Sequence, residues 1–273
     1  MTIRIAHLSD IHFGCENAAA LEAARDYLDE WRPDLVAVTG DITQTGKIGE
    51  FAAARDWLAG IPGSVLRTPG NHDTPYWSPI GRLCWAFRDY RRFIGPESFE
   101  GVRTSGLQAI AFNTARGVQP RLNWSKGQAR RADAARVCRW LSKGQGLKVA
   151  ICHHPLMEVT GGPMTGRVWG GVEASRILVE GGVDLILTGH VHSPFGHPLP
   201  FGDHRTYAVG ASTLSQRERG VPAGFSVIEA DEACIRVTAL GWIKTHFEPQ
   251  RSWGFDRRAA SGHAASEPAA AMA

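Results

Sequence analysis

The stretch LILTGHVH, residues 185–192, carries a short apolar run into a glycine and then places histidines at 190 and 192. Such a run, bounded by a turn signal, reads as a strand buried on both faces, and two imidazoles at its exit call for a common target. The same figure recurs upstream. IRIAHLSDIH (3–12) ends in Asp10 and His12, LVAVTGD (35–41) in Asp41, SVLRTPGNHD (64–73) in Asn71, His72 and Asp73, and KVAICHHP (148–155) in His153 and His154. A further apolar run, LQAIAFNT (107–114), ends beside Asn113. Helical patterns over 16–31, 48–59, 79–94, 125–142 and 173–181 separate these runs, with Asn17 as the N-cap of the first and Pro33 beyond its end. Strands alternating with helices predict an α/β fold with right-handed crossovers and sheets covered by helices.

The chain of 273 residues, 43% hydrophobic and 21% charged, has the composition of a globular protein, and its net charge of +3 is well short of a dedicated nucleic-acid binder. Five scattered cysteines without a C-x-x-C pair exclude a disulfide framework and a zinc knuckle, and point to a reducing compartment. No apolar stretch approaches the roughly 18 residues of a spanning helix, and the N-terminal run is too short for a signal peptide. The expectation is therefore a cytoplasmic protein with no membrane segment. RTYAVGAS, GFSVIEAD and ACIRVTALGWI follow one another with only turns between, and read as antiparallel strands that complete a second sheet. Beyond about residue 250 the apolar period stops, which predicts one domain over 1–250 and a disordered tail over 251–273.

The polar residues at the strand exits limit the chemistry. In open α/β sheets the carboxyl ends of the strands line the ligand crevice, so clusters far apart in sequence converge there. Carboxylate, imidazole and amide oxygen without thiolate suit manganese, iron, zinc or cobalt. Asp10, His12, Asp41, Asn71, His153, His190 and His192 are seven candidate ligands, too many for one ion with open positions but enough for two that share a carboxylate. Such pairs suit in-line displacement at phosphorus. Glycines precede Asp41, Asn71 and His190, where a sharp exit leaves no room for a Cβ.

The ordered series HLSDIH, TGD, PGNHD, CHHP and TGHVH resembles the calcineurin-like metallophosphoesterases over roughly residues 3–245, and the opening IAHLSDIH is similar to the bacterial class III cyclic-nucleotide phosphodiesterases. The resemblance implies a four-layer α/β/β/α sandwich of two mixed sheets flanked by helices. It implies one ion on Asp10, His12 and His192, a second on Asn71, His153 and His190, and Asp41 bridging them. The two divalent or trivalent ions are expected to be manganese and/or iron, with zinc, cobalt or magnesium as alternatives. His72 is expected to bind a phosphate oxygen or protonate the leaving alkoxide, with Asp73 orienting it, while metal-bound hydroxide attacks phosphorus. His153 occupies the family's ligand position, and His154 is expected to lie behind it.

The expected substrate is a small phosphodiester such as 3′,5′-cyclic AMP. A nuclease is the alternative raised by Lys126, Arg130, Arg131, Arg136, Arg139 and Lys143, although these charges spread around the helix. A phosphomonoesterase shares the same site, and a scaffold that has lost catalysis is disfavoured by the complete ligand set. The glycine-rich loop over 156–171, with Arg167 and Trp169, is a candidate cover for a nucleotide. Related enzymes suggest a homodimer.

Overall fold

Strand β1 (Ile3–Leu8) sets the layering because both of its faces are covered: Ile3 and Ile5 join one hydrophobic cluster, Ala6 and Leu8 another, and only Arg4 is exposed. The computed structural model describes residues 2–158 and 168–258. Helix α1 (Ala18–Trp31) starts where Asn17 accepts a hydrogen bond from the Ala20 N–H, as its sequence position predicts. β2 (Leu35–Val38) then pairs in parallel with β1, with Leu35 opposite Ile5, and β3 (Ser64–Arg67) extends the sheet in parallel after α2 (Ile48–Ala59). Leu21, Leu28, Phe51 and Ala54 of the two helices cover Ala6, Leu8, Val36 and Val38. Burial on both faces explains why these strands read as continuous apolar runs rather than alternating ones.

Helices α3 (Pro79–Trp85) and α4 (Arg88–Phe93) lead to the second sheet. It is built from β4 (Gly101–Arg103), β5 (Leu107–Ala111), β6 (Leu147–Ile151), β7 (Leu185–Thr188), β8 (Phe195–Pro198) and β9 (Tyr207–Gly210). Their order is β4-β5-β6-β7-β9-β8, parallel from β5 to β9 and antiparallel at both edges. α5 (Arg131–Leu141) and α6 (Gly171–Glu180) cover its outer face through Val137, Leu141 and Leu178. Leu35 and Leu66 of the first sheet meet Leu107, Val149 and Leu185 of the second in a shared core. The expected four-layer sandwich of two mixed sheets is what forms.

Several boundaries differ from the sequence reading. Only β9 of the three closing segments enters the second sheet. β10 (Gly224–Ala230), β11 (Cys234–Ile243) and β12 (His246–Asp256) extend the first, in the order β12-β11-β10-β1-β2-β3, with Ile228 opposite Ile5. β9 and β10 are both largely buried, so pattern alone does not assign either to a sheet. β12 runs past residue 250 to Asp256, and Trp253 and Phe255 pack against the shared core. It is an edge strand, largely exposed, and Pro249 stands opposite Leu240 at a register irregularity, where an edge tolerates proline. That mixture hides it from a search for apolar period. Residues 259–273 lie outside the described residues. The pattern over 79–94 splits at Ala86 and Phe87, because the buried Phe87 leaves helical geometry at φ −114°, ψ 21°. The helix expected from 125 begins at Arg131. Among the described residues no helix is long and apolar enough to cross a membrane.

Candidate metal centre

The loops that leave β1, β2, β3, β6 and β7 meet at one edge of the sandwich, and the backbone there is unusual. Asp10, His12, Asp41, His190 and His192 all take positive φ, between 49° and 71°. For non-glycine residues this left-handed region is sparsely populated and costs on the order of 1–3 kcal/mol each, so it persists only where surrounding contacts over-determine it. Those contacts are present: Asp10 and His12 donate their N–H groups to the carbonyls of Gly40 and Asp41, at 3.0 Å each, and Thr213 donates its hydroxyl to the Asp10 carbonyl at 2.6 Å. Space is equally short. Gly40 has φ +90° and no room for a Cβ, which would lie 2.7 Å from His153 Nδ1, and a Cβ on Gly70 would lie 2.1 Å from Asp41 Oδ1.

Each carboxylate has one oxygen tied down and one presented. Asp41 Oδ1 accepts the His72 N–H at 2.8 Å, leaving Oδ2 at 3.3 Å from His153 Nε2 and 4.0 Å from His12 Nε2. Asp10 Oδ2 accepts the His190 N–H at 2.9 Å, leaving Oδ1 at 3.1 Å from His192 Nε2 and 3.8 Å from His12 Nε2. The imidazoles are fixed in the same way. A carbonyl only accepts, so the Nδ1 atoms of His153 and His192, 2.7 Å from the carbonyls of Thr39 and Arg217, carry the protons and turn Nε2 inward. His12 Nε2 approaches His192 Nε2 to 3.3 Å.

The electrostatics follow from burial. It pushes His12 and His190 down to about 3, and the His153 charge adds to this at His190. Burial also disfavours the charged form of His153, but the facing Asp41 carboxylate outweighs it and holds the ring up at about 9. Burial would raise Asp10 and Asp41, yet the charges of His192 and His153 respectively hold both below the usual carboxylate range. Asp10 Oδ1, Asn71 Oδ1 and His153 Nε2 are buried without a hydrogen-bond partner among the described residues. Buried polar atoms are rarely left so. Carboxylate and imidazole atoms converging in this way are what a hard or borderline cation requires, and the groups Asp10, His12, His192 and Asp10, Asp41, His153 each bring three such atoms within 4.8 Å of one another.

His154 is brought into the same cluster, within ligand distance of His153 and His190. Both of its ring nitrogens are nevertheless engaged: Nε2 lies 2.8 Å from the Ser125 carbonyl and Nδ1 2.9 Å from the Thr114 hydroxyl. It braces the centre and offers no lone pair. Asn113 likewise forms a turn, its Oδ1 accepting the Ala115 N–H at 2.7 Å.

Asp73 requires a correction. It does not orient His72, whose Nδ1–H donates to the Gln44 carbonyl at 2.7 Å. The Asp73 carboxylate turns away and accepts from the N–H groups of Ile42, Thr43 and Gly70 and from the Thr43 hydroxyl, tying two ligand loops together. Burial and the Asp41 charge push it up to about 7 against the pull of these bonds. Asp73→Asn sets an NH2 against N–H donors, and each donor left unsatisfied costs about 1–3 kcal/mol. The expected outcome is a thermal midpoint lowered by several degrees, measured by calorimetry; an unchanged midpoint would contradict the bracing role.

Two residues that sequence reasoning passed over also reach the centre. Arg217 Nη1 lies 3.1 Å from His72 Nε2, and Gln44 orients the His72 ring. Arg217 sits on the loop after β9, the parallel neighbour of β7, so a strand exit was the available signal. Beside His72 and Arg217 opens a cleft of about 650 Å³, walled by Tyr76, Trp77, Arg82 and Trp124. The Tyr76 ring stacks on His72 at 5.8 Å. Arg167 of the expected cover loop lies outside the described residues, while Trp169 packs under the Arg121 guanidinium at 4.5 Å.

Known proteins resemble this chain in sequence and in fold. A probable cyclic nucleotide phosphodiesterase of Synechococcus is 23% identical over 258 residues, 90% of this chain and 94% of that protein. The glycerophosphodiester phosphodiesterase GpdQ of Enterobacter lignolyticus is 36% identical over 105 residues, 34% of each chain. Among solved structures, a dimetal phosphatase from Danio rerio superposes with a TM-score of 0.64 at 12% identity, covering 94% of this chain and 99% of that one. A purple acid phosphatase from yellow lupin gives 0.63 at 13% identity, covering 94% of this chain and 54% of that one. Residues 3–194 match the calcineurin-like phosphoesterase family, and the chain belongs to it.

Proposed function

We propose that this protein is a binuclear metal-dependent phosphodiesterase acting on a small diester, with a 3′,5′-cyclic nucleotide as the favoured substrate. The observation that carries this reading is Asp41, whose Oδ1 is pinned by a backbone N–H while Oδ2 faces His153 on one side and His12 on the other. Asp10, His12 and His192 would hold one ion, Asn71, His153 and His190 the other, and Asp41 would be shared between them. Such a pair supplies Lewis-acid charge to the phosphoryl oxygens and lowers the pKa of an attacking water. His72 borders the cleft, and its Nε2 is the atom that would hand a proton to the departing alkoxide. Tyr76, Trp77 and Trp124 suit a flat base, which favours a nucleotide over a glycerol head group. Five unpaired cysteines fit a cytoplasmic setting.

The test is hydrolysis of bis(p-nitrophenyl) phosphate beside p-nitrophenyl phosphate after chelation and reloading with manganese, with 3′,5′-cyclic AMP in parallel. Activity lost on chelation, restored by manganese and greater on the diester is expected, with cyclic AMP turned over. Preference for the monoester would make the protein a phosphatase. Two bound ions without hydrolysis would favour a scaffold.

A further inference from the structure

Arg217 belongs to no ligand set, yet its side chain ends among the ligands. Nη1 lies 3.1 Å from His72 Nε2, 3.4 Å from His12 Nε2 and 3.5 Å from Gln44 Oε1. Its neighbours there are nitrogen and amide oxygen, and no carboxylate is ion-paired to it among the described residues. Nε and Nη2 make no hydrogen bond among the described residues and remain available as a fork.

Nor is this a long side chain swept in from the surface. The loop that delivers it is riveted to the centre. The Arg217 N–H is held by Ser215 Oγ at 3.2 Å, Ser215 Oγ meets Thr213 Oγ1 at 2.6 Å, and Thr213 donates to the Asp10 carbonyl at 2.6 Å. Thr213 and Ser215 are fully buried. The Arg217 carbonyl then accepts the Nδ1–H of His192. One residue thus orients a candidate ligand through its backbone and presents a planar cation through its side chain, at the boundary between the ligands and the cleft.

A guanidinium with a free fork matches the oxygens of a tetrahedral phosphate and grips them in two charge-assisted hydrogen bonds. We infer that Arg217 binds a non-bridging phosphoryl oxygen of the substrate, beside the His72 that faces the leaving group. This rests on the phosphoesterase reading and deepens it, because the arginine holds the phosphate itself rather than the organic substituent. Its removal therefore weakens chemically different diesters by a similar factor.

The experiment compares wild type, Arg217→Ala and Arg217→Lys, all reloaded with manganese, for bound metal, for the Kd of inorganic phosphate by calorimetry, and for kcat/KM on bis(p-nitrophenyl) phosphate and cyclic AMP. Both substitutions keep the backbone carbonyl that orients His192, so metal content is expected to stay at the wild-type value. Phosphate binding and kcat/KM are expected to fall about 10- to 100-fold in the alanine variant, the effect of losing charge-assisted bonds. Lysine is expected to recover part of the loss, since it restores the charge without the fork. Unchanged phosphate affinity in Arg217→Ala would overturn the inference, as would loss of metal from both variants, which would make the side chain a structural prop. Absence of hydrolysis in the wild type would strike the phosphodiesterase reading, while the phosphate titrations would still decide the role of Arg217.

Discussion

Asp41→Asn is expected to strip both halves of the centre and to lower manganese-dependent diester hydrolysis by about 10⁴-fold or more, above the ~10²–10⁴-fold typical of losing one acid–base group. The reason is geometric. The His72 N–H fixes which atom of residue 41 is the acceptor, so an asparagine that keeps this bond turns its NH2 toward His153 Nε2, 3.3 Å away. A donor then occupies the place of a shared anion, and the lone pair of His153 is consumed. Elemental analysis after dialysis should show fewer than one ion per chain, where two are expected of the wild type. A variant that retained both ions and a rate within tenfold of wild type would remove Asp41 from the bridging position.

His72→Ala should separate chemistry from metal binding. Its side chain contributes no bond to the seven candidate ligands, and its backbone N–H, which pins Asp41, survives the substitution. Metal content should therefore be unaffected, while turnover of a diester with a poor leaving group falls by about 10²–10⁴-fold. The loss should be much smaller on bis(p-nitrophenyl) phosphate, whose leaving phenolate needs no proton. An unaltered rate on an alkyl diester would end the acid role, and a uniform loss on both substrates would place His72 on the phosphate instead.

What the sequence discloses depends on how many constraints act on a residue at once. Asp10, Asp41, His153, His190 and His192 are legible because each combines a polar type that suits metal with the exit of an apolar run, and those runs are conspicuous because β1, β2, β6 and β7 are largely buried on both faces. Asp73 misleads because adjacency to His72 along the chain says nothing of direction: the Asp73 carboxylate turns to the N–H groups of Ile42, Thr43 and Gly70, while the His72 ring is held by the Gln44 carbonyl. Arg217 carries no local signal beyond its loop, and its importance arises only when β9 is laid beside β7. β12 is obscured by exposure, and the split between α3 and α4 by the outward-facing Ile80 and Leu83, which extend the apolar pattern without joining a core.

The left-handed turns at Asp10, His12, Asp41, His190 and His192 also constrain how a lineage carrying this fold can change. Released from selection for metal, the five side chains become dispensable, but the backbone that bears them still carries the loops of both sheets. Valine or isoleucine at these positions would strain the chain whether or not an ion is bound, whereas glycine or asparagine would relieve it. A copy drifting away from catalysis should therefore accumulate glycine and asparagine at these five sites well before it admits branched aliphatics, and that bias would mark the difference between decay and repurposing.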